Sequence, residues 1–341
     1  MKKIILLSFI IMLLCGCYDY RELNDMSIVS GIGIDYVDNE YQVSLEITNS
    51  SKDGSSTEVE TVIVTGKDKN ISEAFNKAKN MSDKDVYLEH IELLVISEEL
   101  ATKGLGECLD YIIRDTSINN NYFVVVSDDP SKILSTEEEN KRMSEVIVNT
   151  VKYAQGNSDI DDLDILVSKF ITNKEDIALP YVSLNDKNIE YKEIAYFDKD
   201  KMVGKIDYKI YSFLLLDSNN VLFSSLGNTI NVYKKNIDIK VLDNKFVINI
   251  DVNGQVKEIS NNIDLKDENS YSRLENLINK KIEDEVKLFI DTIIERDSDL
   301  LGFKDIYYKK YKRNINSFKY EIKVNTIINK NGTIYEVLDD K

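Results

Sequence analysis

The chain of 341 residues has one histidine, three cysteines and no tryptophan. The single histidine, His90, has no second histidine and no suitably spaced cysteine with which to share a zinc ion. His90 is therefore expected to be a hydrogen-bonded structural residue at a strand start. Cys15 and Cys17 flank a glycine at the end of the first hydrophobic run, which leaves Cys108 as the one cysteine of the main body. An internal disulfide is excluded there. Cys108 falls at helical spacing with Leu105, Leu109 and Ile112 and reads as a buried structural thiol, not a nucleophile. No Gly-rich loop runs into Lys-Ser or Lys-Thr, so a P-loop is excluded. A nucleophile elbow and a defensible Ser/His/Asp spacing are missing too. Gly31-Ile32-Gly33 lacks a third glycine and a following helix, and is expected to allow close packing or a bulge. Asp159, Asp161, Asp162 and Asp164 form an acidic cluster. An EF-hand loop would need Gly and Glu where Asp164 and Phe170 stand, so the cluster is assigned to a helix start. The residues thus predict no catalytic site, no metal and no cofactor.

Basic charge is also scarce. Lys and Arg number 43 against 60 Asp and Glu, for a net charge of −17. A body this acidic is repelled by nucleic acid and by anionic lipid heads, so nucleic acid is excluded as a partner. The length allows two or three domains at roughly 100–200 residues each, with ample core. Hydrophobic content of 43% and charged content of 30% are ordinary for a folded soluble protein. Twenty Tyr and eleven Phe supply the aromatic bulk.

One hydrophobic run is present at the N-terminus. Lys2 and Lys3 precede Ile4 to Leu14, eleven residues, followed by Cys15-Gly16-Cys17. This order is that of a secretory signal. A spanning helix needs about 20 apolar residues, so this run does not span as a mature element. Leu14, Cys15 and Gly16 before Cys17 look like a lipobox, recognised by the signal peptidase. Cys17 would carry diacylglycerol and become the N-terminus. Two or three acyl chains (palmitate among them) would hold it firmly. Loss of residues 1–16 removes Lys2 and Lys3 and takes the net charge to −19. Nothing after residue 16 is long or apolar enough to span a membrane.

The remaining patterning predicts an α+β fold of mixed and antiparallel sheets with packed helices. Ser27 to Asp35 and Tyr41 to Thr48 alternate about Val37-Asp38-Asn39-Glu40, a β-hairpin. Asn49 to Thr57 reads as a loop and Glu58 to Gly66 as a third strand. Ser72 is placed as cap of a helix carrying Ala74, Phe75 and Ala78. His90 to Ser97 reads as a buried strand, Glu98 to Arg114 as one helix, and Tyr122 to Ser127 as a strand. Thr136 to Ala154 and Asp161 to Ile171 read as helices. Pro180 marks a polar connection over 173–188. The domains are set at 1–16 (signal peptide), 17–190 and 191–341. Beyond the boundary, Glu193 to Phe197 and Ile206 to Leu216 read as strands, with a turn at Asn219-Asn220. Thr229 to Leu242 and Lys245 to Val252 form a hairpin about Asp243-Asn244. A long helix spans about Tyr271 to Arg296, before a strand at Phe318 to Ile328. Asn331-Gly332 then turns into a last strand at Thr333 to Leu338.

Four blocks make the chain similar to the Ger(x)C family, the lipoprotein C subunit of spore germinant receptors. The first is Cys17-Tyr18-Asp19-Tyr20-Arg21-Glu22-Leu23-Asn24-Asp25, running into Ile28-Val29 and Gly31 to Asp35. The second is His90 with its strand to Ile96, then Glu98-Glu99-Leu100-Ala101. The third is Leu109-Asp110-Tyr111 leading to Arg114-Asp115. The fourth is Asp299-Leu300-Leu301-Gly302-Phe303. They keep the family's order and cover nearly the whole chain. Tyr18 departs from the Trp usual after the lipidated cysteine, but keeps an aromatic ring with a polar tip there. The resemblance implies a non-enzymatic multi-domain α+β body on the outer face of the cell membrane, at the spore's inner membrane. It implies partnership with two membrane-embedded subunits, A and B, in a nutrient-triggered complex. It assigns lipidation to Cys17 and marks Asp19, Glu22, His90, Arg114, Asp115, Gly302 and Phe303 as motif positions of unknown role. It gives no small-molecule ligand.

A lipid-anchored solute-binding protein of a transporter is the alternative, since it too would start with a lipobox. Such proteins show repeated β–α units in both halves, whereas the second half here is rich in strands. A surface-anchored hydrolase ranks third for want of a catalytic constellation.

Overall fold

The computed structural model describes residues 26–329 apart from 54–55, 116, 120, 139–140, 156–162, 173–175, 217–219, 243, 261–262 and 264–267. The lipobox, Cys17, Asp19, Glu22, the acidic cluster up to Asp162 and the strand expected at Thr333 to Leu338 lie outside the described residues.

Two mixed sheets make up the architecture. The larger contains β1 (Met26–Val37), β2 (Glu40–Asp53), β3 (Ser56–Asp68), β4 (Asp85–Tyr87), β5 (Leu93–Ser97), β6 (Phe123–Ser127), β7 (Ala178–Asn185), β8 (Asn188–Asp198) and β9 (Lys201–Asp207). Their order is β3-β2-β1-β5-β6-β7-β8-β9, with the short β4 beside the start of β1. The smaller sheet runs β10 (Val221–Ser225), β11 (Asn228–Leu242), β12 (Lys245–Glu258), β13 (Lys319–Ile328). Nine helices are described. They are α1 (Ile71–Lys79), α2 (Glu98–Lys103), α3 (Gly106–Arg114), α4 (Pro130–Leu134), α5 (Met143–Ala154), α6 (Leu163–Thr172), α7 (Tyr208–Leu215), α8 (Glu268–Glu295) and α9 (Phe303–Tyr311). The α+β class, with one long helix of 28 residues in the second half, is the one the patterning predicts.

The hairpin of β1 and β2 turns on Asp38 and Asn39, both with positive φ (56° and 63°). Two consecutive positive-φ residues give the turn whose twist matches the flanking strands. Gly31 and Gly33 do both things expected of them. The register slips between Val29 and Gly31. A Cβ on Gly33 would stand 2.9 Å from that of Pro130, and one on Gly31 3.0 Å from Glu46 Oε2. The middle strands β1, β5 and β6 run parallel, joined by helical crossovers as parallel pairs require. β12 and β13 are parallel as well, and α8 and α9 lie in the chain between them.

β5 shows why its run is apolar throughout. Leu93 and Val95 join one core, and Leu94 and Ile96 join the other, on the opposite face of the sheet. A strand covered on both faces has no polar side. The Leu93 core is continuous with the small sheet and α8, where Leu274, Ile278, Ile282, Val286, Ile290 and Ile293 are fully buried. Six such side chains contribute roughly 10–15 kcal/mol of burial before entropy is charged against them.

Several local expectations are corrected. Most of Asn49 to Thr57 is strand, because β2 runs to Asp53 and β3 starts at Ser56. α1 starts one residue before Ser72, after Asn70, with Asp68 accepting from the Asn70 N–H at 3.0 Å. The helix expected over Glu98 to Arg114 is broken at Gly104, whose φ of +132° is closed to an α-helix. α5 begins at Met143, not Thr136. Ahead of it α4 was missed, although Asp129 caps it and Pro130 opens it. Pro180 lies within β7, beside a register shift at Tyr181/Val182, the kind of irregularity at which a strand tolerates proline. Tyr208 to Leu215 is a helix, not a strand, and Asp207 caps it at 2.7 Å from the Lys209 N–H. Of the turn expected at Asn219-Asn220, only Asn220 is described, with φ +73°.

Candidate functional site

The strand register brings several motif residues to one end of the large sheet. β1 enters there, with Met26 beside Asp85 and Ile28 beside both Tyr87 and Thr48. The parallel strands β5 and β6 also start at that end, since Gly31 aligns with Leu93 and Leu93 with Phe123. The segments that precede them therefore gather at this entry end. His90 lies in an exposed turn before β5 rather than inside the strand. Its ring packs 5.5 Å from that of Tyr87 at 59°. Tyr87 donates to Glu89 at 2.5 Å, and the Glu89 carbonyl accepts from Asn119 at 3.4 Å.

Arg114 and Asp115 close α3 at the same end. The Arg114 side chain is exposed and donates to both carboxylate oxygens of Asp110 at 2.9 Å. Asp115 accepts from the Ser117 N–H at 3.0 Å and hydroxyl at 2.6 Å, with Lys79 at 4.0 Å. Partial burial raises the Asp115 pKa, but the Ser117 hydrogen bonds and the Lys79 charge outweigh it and hold the carboxyl below its ordinary value. Ser27 and Ser82 join hydroxyls at 2.8 Å and tie β1 to the turn after α1.

Gly302 and Phe303 stand elsewhere, where the two sheets meet. Ser298 donates to the Phe197 carbonyl of β8 at 2.8 Å. The Asp299 N–H donates to Asp176 Oδ2 at 2.5 Å. The Asp299 carboxylate in turn accepts from the N–H groups of Phe303 and Lys304, at 2.8 and 2.9 Å, across the start of α9. Gly302, at φ +65°, lets the chain turn into that helix. The Phe303 ring lies 4.7 Å from Phe246 and 4.8 Å from Phe318, which locks α9 onto β12 and β13. Burial drives the Asp299 carboxyl up to about 6, against the lowering effect of its two N–H partners. The block Asp299 to Phe303 is thus a joint. The helix that follows it, α9, was not expected from the sequence, and the partner Asp176 carries no local signal.

Glu46 is a buried polar residue missed by sequence reasoning. Fully buried, it accepts from the Ser30 hydroxyl at 2.7 Å, the Met143 N–H at 2.7 Å and the Ser144 N–H at 3.2 Å. A second polar cluster lies at the C-terminal ends of β5 and β6. Tyr181 donates to Glu98 at 2.7 Å and also contacts Asp128, and Lys205 bonds Glu98 at 2.9 Å. Between β9, α7 and α8 is a cleft of about 360 Å³, lined by Ile206, Ile210, Leu288 and Phe289 and bordered by the Lys209–Glu285 pair at 2.9 Å. Cys108 is fully buried, and burial pushes its thiol up to about 12, which leaves no thiolate nucleophile at neutral pH. Among the described residues, no group of three or more His, Cys, Asp or Glu is placed to hold a metal ion. Nor is any helix among them long and apolar enough to cross a membrane.

Two family models match the chain in tandem. "Spore germination protein N-terminal domain" matches residues 19–184, and "Spore germination B3/GerAC like, C-terminal" matches residues 192–332. The chain belongs to the Ger(x)C family of spore germination proteins. Spore germination protein KC of Bacillus subtilis (strain 168) is 24% identical to this Ger(x)C chain, over 90% of it and 87% of the relative. Spore germination protein B3 of the same organism is 24% identical, over 86% and 84% respectively. Spore germination protein GerQC of Bacillus cereus is 23% identical over 94% of both chains. The crystal structure of the GerBC protein has the same fold, with a TM-score of 0.54 at 17% identity over 91% of this chain and 99% of that one.

Proposed function

We propose that this Ger(x)C chain is the lipid-anchored, non-catalytic C subunit of a spore nutrient germinant receptor. The observation that carries the reading is the tandem match of both family models over residues 19–184 and 192–332. Relatives matched over 84–94% of their own length are spore germination proteins by name. The lipobox at Leu14 to Cys17 supports an anchor at Cys17 on the outer face of the spore's inner membrane. The mechanism is assembly: the anchor holds the acidic body beside the membrane-embedded A and B subunits. The body splits near residue 190 into two family modules, which share the large sheet. The solute-binding alternative draws no support from the second half, where antiparallel β10, β11 and β12 replace repeated β–α units.

Replacing Cys17 by Ala tests the reading. The variant is expected to leave the membrane fraction and to slow nutrient-triggered germination while germination by non-nutrient agents is unchanged. Normal nutrient germination, with the variant at normal abundance and off the membrane, would refute the role of the anchor.

A further inference from the structure

The entry end of the large sheet differs chemically from the opposite end. At the far end the turns present Asp38 and Asn39 and Asp68 to Asn70, all polar or charged. At the entry end three large apolar side chains are exposed: Met81 (69%), Ile113 (43%) and Val62 (40%). Met81 sits in the turn after α1, which runs from the far end, where Asp68 aligns with Tyr41, to the entry end, where Ser82 meets Ser27. Beside it lies an open depression of about 510 Å³ in which Lys79 and Lys84 are matched by Asp83 and Asp85. The β2–β3 ribbon also projects this way, its pairing continuing past Thr48 to Asp53 and Ser56.

The chain enters β1 at this end, nine residues after Cys17. Nine residues reach at most about 30 Å when fully extended. β1 itself, twelve residues long, spans about 36 Å from the entry end to the far end. A lipid at Cys17 therefore brings the entry end within easy reach of the bilayer, while the far end comes near only if the molecule folds back on its tether. A body of charge −19 approaches a phospholipid surface best where apolar side chains lead and the local charges balance.

We propose that the entry end faces the phospholipid surface, with Met81 at the contact. The proposal rests on the anchor at Cys17 and adds the orientation of the body above the membrane. It implies that His90, Arg114 and Asp115 lie in the layer next to the lipid headgroups, and that the joint at Asp299 to Phe303 lies outside the part of the chain held there by the tether.

The test uses the mature lipidated protein in vesicles of phosphatidylcholine with about one-fifth phosphatidylglycerol, so that the surface carries a negative potential as an anionic leaflet does. A fluorophore is attached at Met81→Cys or, as the far-end control, at Lys69→Cys, both exposed positions. Cys108 is buried and Cys17 is acylated, so labelling is selective. Nitroxide lipids carry the quencher at the headgroup. Quenching at position 81 is expected to exceed that at position 69 at least threefold. Equal quenching, or stronger quenching at position 69, in protein that floats with the vesicles would overturn the orientation and leave the anchor standing. Failure to float would overturn the anchor and the orientation with it.

Discussion

Replacing Glu46 by Ala is expected to destabilise the protein by about 4 kcal/mol, an order-of-magnitude figure that follows from its contacts. Glu46 lies on β2 with its carboxylate fully buried at the start of α5. Two N–H groups of the first turn, those of Met143 and Ser144, donate to it, as does the Ser30 hydroxyl. An isolated helix start leaves such N–H groups without partners. Removing the acceptor in a dry site costs about 1–3 kcal/mol for each orphaned donor. Ser30 recovers in part, because its hydroxyl also lies 3.3 Å from the Glu46 carbonyl and 3.4 Å from Thr48 Oγ1. The two backbone donors have no such recourse, so they account for most of the loss. Glu46→Gln keeps one carbonyl oxygen for the Met143 N–H, gives up the charge-assisted part of the bonds, and is expected to lose about 1–2 kcal/mol. Thermal unfolding of the mature protein at pH 7 reads both. At roughly 2 °C per kcal/mol for a chain of this size, Ala should lower Tm by about 8 °C and Gln by about 2–4 °C. A fall of under 2 °C for Ala would refute the capping role. Equal falls for Ala and Gln would show that the charge, and not the position of the acceptor, is what matters.

The Asp299 carboxyl stands at about 6 in the fold against 3.8 as its ordinary value. A raised carboxyl holds its proton in the native state, so its contribution is full below pH 4 and is lost as pH rises through 6. About two pKa units correspond to about 3 kcal/mol. Asp299→Asn should flatten the stability profile between pH 4 and pH 6.5, measured by urea midpoints. An unchanged slope would sink the assignment. Gly66→Ala would place a Cβ 2.2 Å from the Ala74 carbonyl oxygen and 2.3 Å from the Ala78 nitrogen, both helix backbone. The displacement of α1 from β3 is expected to cost about 3 kcal/mol, and a Tm within 2 °C of the parent would contradict the packing.

The hairpin at Asp38 and Asn39, the β5 run, the long helix and the β11–β12 pair were legible because each carries its own period or turn chemistry. The stretch Ile206 to Leu216 misled because a short apolar run fits a strand and a buried helix equally well. Asp207 was the signal that would have decided it, as Asp129-Pro130 was for α4. Glu46 was missed for a different reason. The alternation of Tyr41, Val43, Leu45 and Ile47 puts Ser44 and Glu46 on the other face, which period alone leaves to solvent. In the fold that face is covered too, and Ser44 and Glu46 are 1% and 0% exposed. Alternation shows that two faces differ, not that one is wet.

The sequence by itself determined the α+β class and the family blocks, because these rest on residue type and spacing along one chain. Only the tertiary structure decided that His90, Arg114 and Asp115 share the end where β1 begins, and that Asp299 meets Asp176 across 123 positions. Such neighbours are set by strand order and parallel register. Those depend on how separate segments cover each other's apolar faces, and no local pattern records that.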